Sequence, residues 1–167
     1  MLFAVTLVPG AFADDATPPK VPPFPNYTLF TLDGSSTVQL ADFRGRPVLL
    51  TFWASWCGPC RVELPELKKL YGDLVGTGFV LLTVNVDTSP MAATRFLDAL
   101  GLELPTYKMT SRDLVQLGVN SLPTNVLLDA EGRPVQIYRG YAPEMIQDIR
   151  RLVSEMQDGG AAPDEGA

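Results

Sequence analysis

Apolar residues gather along this chain in two kinds of run. Val48 to Ala54 and Phe79 to Val86 are nearly unbroken stretches rich in Val, Leu, Phe and Trp. They are too continuous for a strand with one wet face, so each is read as a parallel strand covered on both sides. Elsewhere the spacing is helical. Val62, Leu64, Leu67, Leu70, Tyr71 and Leu74 recur at about 3.6 residues, with Glu63, Glu66, Lys68, Lys69 and Asp73 largely on the other face. Pro65 predicts a kink in this helix. Ser89-Pro90 is a helix start, and Met91, Ala92, Phe96, Leu97 and Leu100 form an inward stripe that Gly101 ends. Ser111 to Leu117, closed by Gly118, reads as a shorter helix. Met145, Ile146, Ile149, Leu152, Val153 and Met156 mark a final amphipathic one.

Two stretches read as hairpins. Thr28–Leu32 and Thr37–Leu40 flank Asp33-Gly34-Ser35-Ser36, and Asn125–Leu128 and Val135–Tyr138 flank Asp129 to Pro134. Between the first hairpin and the Val48 strand, Asp42 to Gly45 is read as a turn. The order is hairpin, then a βαβ unit with an inserted helix, then hairpin and helix, which is an α/β class. No internal repeat is visible.

The two ends have a different character. Residues 1–13 read as the remnant of a signal peptide: Leu2 to Phe12 is apolar or small, and Ala11-Phe12-Ala13 has the small-x-small form of a cleavage site. No Lys or Arg precedes the apolar stretch, which is also short. Residues 14–26, with Pro18, Pro19, Pro22, Pro23 and Pro25, suit an extended linker. The ordered domain is expected over 27–157, and a Gly-, Ala- and acid-rich disordered tail over 158–167. No run approaches the roughly 18 apolar residues of a membrane span.

Composition fits one globular domain: 167 residues, 46% hydrophobic and 19% charged. With 13 Lys and Arg scattered along the chain and a net charge of -6, there is no basic footprint for nucleic acid.

The chemistry is concentrated in Trp56-Cys57-Gly58-Pro59-Cys60, which holds the only two cysteines. They fall where the Val48 strand gives way to a helix. That helix start aims unpaired N–H groups and a positive dipole end at the first sulfur, which lowers its pKa and makes Cys57 the expected nucleophile. Cys60, about one turn on, lies within reach to resolve a mixed disulfide. Gly58 and Pro59 shape the link, proline being tolerated where no N–H is needed. A zinc site would need about four ligands, and the chain has no His and no further Cys; no metal is expected. A purely structural disulfide closing so short a loop would contribute roughly 2 kcal/mol or less. A redox-active dithiol is favoured over both.

Phe52-Trp53-Ala54-Ser55-Trp56-Cys57-Gly58-Pro59-Cys60-Arg61, followed by Glu63 and Pro65 and, some way on, by Leu122-Pro123-Thr124, resembles the thioredoxin-like proteins of the bacterial cell envelope, the TlpA, ResA and DsbE group. The resemblance covers about Tyr27 to Gln157. It implies a thioredoxin fold with an N-terminal β-hairpin and a central helical insertion, and a periplasmic or cell-envelope thiol:disulfide oxidoreductase. It also implies a reductant of protein disulfides with a place in cytochrome c maturation, drawing electrons from a membrane thiol donor. No organic cofactor is called for beyond the Cys57–Cys60 disulfide, and a monomer is expected. The alternatives are a thiol oxidase, which often carries a His between its cysteines, and a non-catalytic peptide-binding module.

The resemblance extends to other residues. Pro123 would be cis and pack beside the cysteines, and Leu122 would offer its backbone to a peptide by strand addition. Trp56 is either a flat apolar contact for substrate or a shield over the disulfide, while Phe52 and Trp53 are core. Thioredoxins proper carry a buried acid in the strand before the motif, and the matching position here is Thr51. The proton acceptor for Cys60 is then water or Glu63. A helix-surface glutamate is the plainer reading of Glu63.

Overall fold

A computed structural model of the chain describes residues 22–158; the predicted signal remnant, most of the linker and nearly all of the predicted tail lie outside them. A single mixed sheet organises the molecule. Its strands are β1 Thr28–Thr31, β2 Thr37–Gln39, β3 Val48–Trp53, β4 Val80–Asn85, β5 Thr106–Lys108, β6 Thr124–Leu128 and β7 Pro134–Arg139. They lie in the order β2-β1-β5-β4-β3-β6-β7. The helices are α1 Gly58–Asp73, α2 Pro90–Leu100, α3 Ser111–Gln116 and α4 Glu144–Asp158.

The fold is the thioredoxin fold, and its centre follows from the two continuous apolar runs. β3 and β4 pair in parallel from Val48↔Val80 to Trp53↔Asn85, and β6 runs antiparallel on the other side of β3. All residues of β3, β4 and β6 are buried. Alternate side chains feed two cores, as the strand period of two requires. Leu49, Trp53, Leu81 and Leu127 face Leu64, Leu67 and Leu70 of α1 and Ile149 and Val153 of α4. Leu50, Phe52, Leu82 and Val126 face the other way, against Leu29, Leu40 and Met109. Thr51 and Asn125 are register partners, so both point toward the α1 and α4 layer.

Five details differ from the sequence reading. The insertion between β4 and α3 contains a strand as well as a helix: β5 joins β4 to the N-terminal hairpin, pairing parallel with β4 and antiparallel with β1. Leu40 belongs not to β2 but to a 3-10 turn, Leu40–Phe43, whose Asp42 carboxylate accepts from the Gln39 N–H at 2.8 Å. Along α1 the stripe is Cys60, Glu63, Leu64, Leu67 and Leu70, while Val62 is 56% exposed. Met91 of α2 is likewise exposed, and Ala93 is buried in its place. Asp158, placed in the tail, is the last residue of α4.

Contacts with the body of the domain begin before Tyr27. The Phe24 N–H donates to Gly132 O at 2.7 Å, and Arg44 donates to Phe24 O. Because β6 is antiparallel to β3, the turn at Asp129–Gly132 lies at the end of the sheet away from the cysteines.

Candidate active site

β3 ends at Trp53, and the chain turns through Ala54, Ser55 and Trp56 before α1 begins at Gly58. Cys57 is the N-cap of that helix, in extended conformation, with its own N–H on Ala54 O at 3.1 Å. Its sulfur accepts from the Cys60 N–H at 3.2 Å. A side-chain acceptor is what an N-cap position wants, since the first N–H groups of a helix have no internal partner. Pro59, in the first turn, removes no internal bond. Cys57 and Cys60 form a disulfide with an S–S distance of 2.03 Å. Cys57 is 5% exposed and Cys60 not at all.

The exposed side of the disulfide opens on a groove of about 510 Å³. Its floor and walls include Trp56, Cys57, Val86, Leu114, Val119 and Leu122, with Gly58 and Pro59 at one edge. Trp56 is 72% exposed and lines the groove beside Cys57. The Leu122–Pro123 bond is cis and Pro123 is buried. Trp56, Cys57, Gly58, Pro59 and Leu122 are thus brought together around one groove. Cys60, Glu63 and Pro123 do not line it.

Behind Cys60 lies a polar cluster. Glu63 is fully buried, which overturns the surface reading: at three residues from Cys60 and four from Leu67 it shares the inward face of α1. Asn125 Nδ2 donates to Glu63 Oε1 at 2.6 Å, and the Thr51 hydroxyl donates to Asn125 Oδ1 at 2.7 Å. Glu63 Oε2 has no partner. Burial pushes the Glu63 carboxyl up to about 7, the bond from Asn125 acting in the opposite sense. A second buried carboxylate braces the loop before Cys57. Asp87, just after β4, accepts from the Ser55 N–H at 2.9 Å, from the Ser55 hydroxyl at 3.1 Å and from Asn85 Nδ2 at 2.8 Å. Lys108 of β5 donates to the Asp87 carbonyl.

The AhpC/TSA family model matches residues 22–153, most of the chain. The chain belongs to the AhpC/TSA family. Within it, the chain is similar to the thiol-disulfide oxidoreductase ResA of Bacillus subtilis, 32% identical over 138 residues that cover 81% of this chain and 76% of that protein. ResA of Halalkalibacterium halodurans is 31% identical, covering 77% and 73%. Among solved structures, a Chlorobium tepidum protein assigned as a thiol:disulfide interchange protein DsbE superposes with a TM-score of 0.74. It is 28% identical, and the match covers 82% of this chain and 96% of that one. The pneumococcal exposed lipoprotein thioredoxin Etrx1 gives 0.63, with 30% identity and coverage of 77% and 100%. The chain is a thiol-disulfide oxidoreductase of the TlpA, ResA and DsbE group.

In this family member the sequence reading missed Asn125 and Asp87. Both left a signal: each is a polar residue in or just after a mostly apolar buried strand, where a partner is obligatory. Arg61, next to Cys60, sets its guanidinium over the Phe96 ring at 4.7 Å, and that ring packs on Trp53 at 5.2 Å. Among the described residues no helix is long and apolar enough to cross a membrane.

Proposed function

We propose that the protein reduces disulfides of other proteins in the bacterial cell envelope, with Cys57 as nucleophile and Cys60 as resolving thiol. The observation that carries the assignment is the asymmetry of the pair: Cys57 lines the open groove, and Cys60 is sealed behind it. In the reduced protein the Cys60 N–H and the helix start stabilise a Cys57 thiolate. That thiolate attacks a substrate sulfur, and the substrate's other sulfur leaves as a thiolate. Cys60 then gives its proton to Glu63, whose raised pKa suits the exchange near neutral pH, and attacks the Cys57 sulfur. As Glu63 gives up its proton and solvent supplies another, the substrate leaves with two thiols and the protein with one disulfide, the two electrons having passed outward.

Substrate backbone would lie along Leu122, beside cis Pro123, with Trp56 as an apolar contact. The open, mostly apolar groove favours extended protein segments over a small polar ligand. The reductant direction rests on the Gly58-Pro59 dipeptide, which supplies no cationic His to stabilise the reduced state. Envelope location rests on residues 1–13, on the likeness to an exposed lipoprotein and on the group as a whole. Apocytochrome c is one substrate that this reading implies, and a membrane thiol protein the donor that returns electrons to the pair.

Two measurements test it. A Cys60→Ser variant expressed with its leader is expected to accumulate mixed disulfides to envelope proteins through Cys57; no adduct in any envelope fraction would sink the assignment. Equilibration with glutathione or dithiothreitol gives the reduction potential. A value near about -270 mV fits a reductant, and one near about -120 mV would reverse the direction.

A further inference from the structure

We infer that Asn125, held in one orientation by Thr51, is a positioning residue for Glu63: it binds one carboxylate oxygen and leaves the other to take and release the proton. The inference rests on the reading of Glu63 as proton acceptor and adds the device that sets it.

The argument starts from the amide. An Asn side chain has two faces of opposite polarity, and a carboxylate accepts only from the N–H₂ face. In a fully buried site no water can repair a wrong choice. Thr51 and Asn125 are cross-strand partners on β3 and β6, both without exposure. The Thr51 hydroxyl donates to Oδ1 at 2.7 Å, which turns Nδ2 toward Glu63 Oε1 at 2.6 Å; the thioether of Met145 lies 3.5 Å from the same nitrogen. Were the amide reversed, Oδ1 would face the carboxylate oxygen, and only a protonated Glu63 would be tolerated. One hydroxyl therefore decides whether the cluster accepts an ionised Glu63.

Few other groups compete for this role. Asn125 is the hydrogen-bond partner of Glu63, and the groups that hold its amide, Thr51 and Met145, are uncharged. The other buried carboxylate among the described residues, Asp87, is engaged by Ser55 and Asn85. Arg61 on α1 is turned to Phe96. Glu66, one turn further along α1, is half-exposed and paired with Lys69, and the cysteines do not titrate when joined.

The test is a titration of the Glu63 side-chain carbon by NMR in the full, oxidised protein, in wild type, Asn125→Leu, Thr51→Val and Thr51→Ser. Loss of a hydrogen bond to the charged form should raise the Glu63 midpoint by about one pH unit in Asn125→Leu. Thr51→Val should raise it by a smaller amount, and Thr51→Ser, which keeps the hydroxyl, should restore it. Thr51→Val is isosteric and carries the test if Asn125→Leu does not fold. An unchanged midpoint in both would overturn the inference, as would a midpoint in Thr51→Ser that follows Thr51→Val. In the reduced protein, the pH profile for resolution of a Cys57 mixed disulfide should move by the same amount. A moved carbon titration with a fixed rate profile upholds the positioning and overturns only the part of Glu63 in exchange.

Discussion

Replacing Glu63 by Gln keeps the shape of the side chain and an acceptor for Asn125 but removes its ionisation, and the consequence for stability can be worked from the burial. In the unfolded chain the carboxyl loses its proton near its ordinary 4.5, in the folded one at about 7. Between these values the native state holds a proton that the unfolded chain gives up. The stabilising contribution is therefore complete below the lower value and is lost as pH rises through the upper one. At about 1.4 kcal/mol for each pH unit between the midpoints, the buried charge costs about 3 kcal/mol once the group is fully ionised.

Urea unfolding of the disulfide-intact protein measures this directly, because the cysteines do not titrate in that form. Every other group is common to wild type and Glu63→Gln, so the difference between them isolates Glu63. That difference should grow by roughly 2 to 3 kcal/mol from about pH 5 to about pH 8, wild type becoming the weaker. With a slope of about 2 kcal/mol per molar urea, the midpoints separate by about 1 M. A difference that stays constant within about 0.5 kcal/mol over that range would refute the buried, raised carboxyl on which the exchange mechanism depends.

Three further outcomes follow from the same geometry. Asp87→Ala leaves the Ser55 N–H and Asn85 Nδ2 without their acceptor, so unfolding stability should fall by about 2 kcal/mol and the Ser55 amide should exchange faster with solvent; an unaltered Ser55 exchange rate would show that Asp87 does not brace the loop. Gly132 has φ +73, and a Cβ there would meet Arg44 Nη1 at 0.9 Å. Gly132→Ala should therefore cost about 1 to 2 kcal/mol in a urea melt while thiol exchange continues unchanged, because the turn lies at the far end of the sheet; slowed exchange would contradict that placement. Trp56→Ala should leave stability within about 0.5 kcal/mol and lower kcat/KM for a protein disulfide roughly tenfold, with a small aromatic disulfide little affected; equal losses on both substrates would point to a change at the sulfur itself.

The reliable signals in the sequence were those fixed by local physics. Unbroken apolar runs became β3 and β4, because a strand buried on both faces has no room for polar alternation. Gly101 closes α2 with φ +62, as a left-handed cap should. What escaped depended on tertiary placement. β5 spans only Thr106–Lys108, too short for a period, and exists because β4 and β1 each offer it an edge. On α1 the eye follows hydrophobicity and admits Val62, whereas the angular position of Cys60, Leu64 and Leu67 admits Glu63. The spacing held that answer, and the charged neighbours Glu66, Lys68 and Lys69 concealed it.

The spacing of the cysteines also explains why one exchange partner is preferred over another. An N-cap residue projects outside the helix while the residue three further on has turned inward. Cys57 therefore opens on the groove, and Cys60 lies on the buried face of α1 that also carries Glu63. Once a substrate sulfur is joined to Cys57, the nucleophile best placed to release it is internal, sealed from competing thiols and within one helical turn of a carboxyl with a free oxygen. Moving the acid from β3 to α1 does not alter that logic. Thr51 and Asn125 occupy the strand positions, and the carboxyl comes to the same buried side of the pair from the helix that carries the resolving thiol. In the proposed mechanism proton transfer and disulfide resolution then depend on one element, so a change that displaces α1 should slow both together.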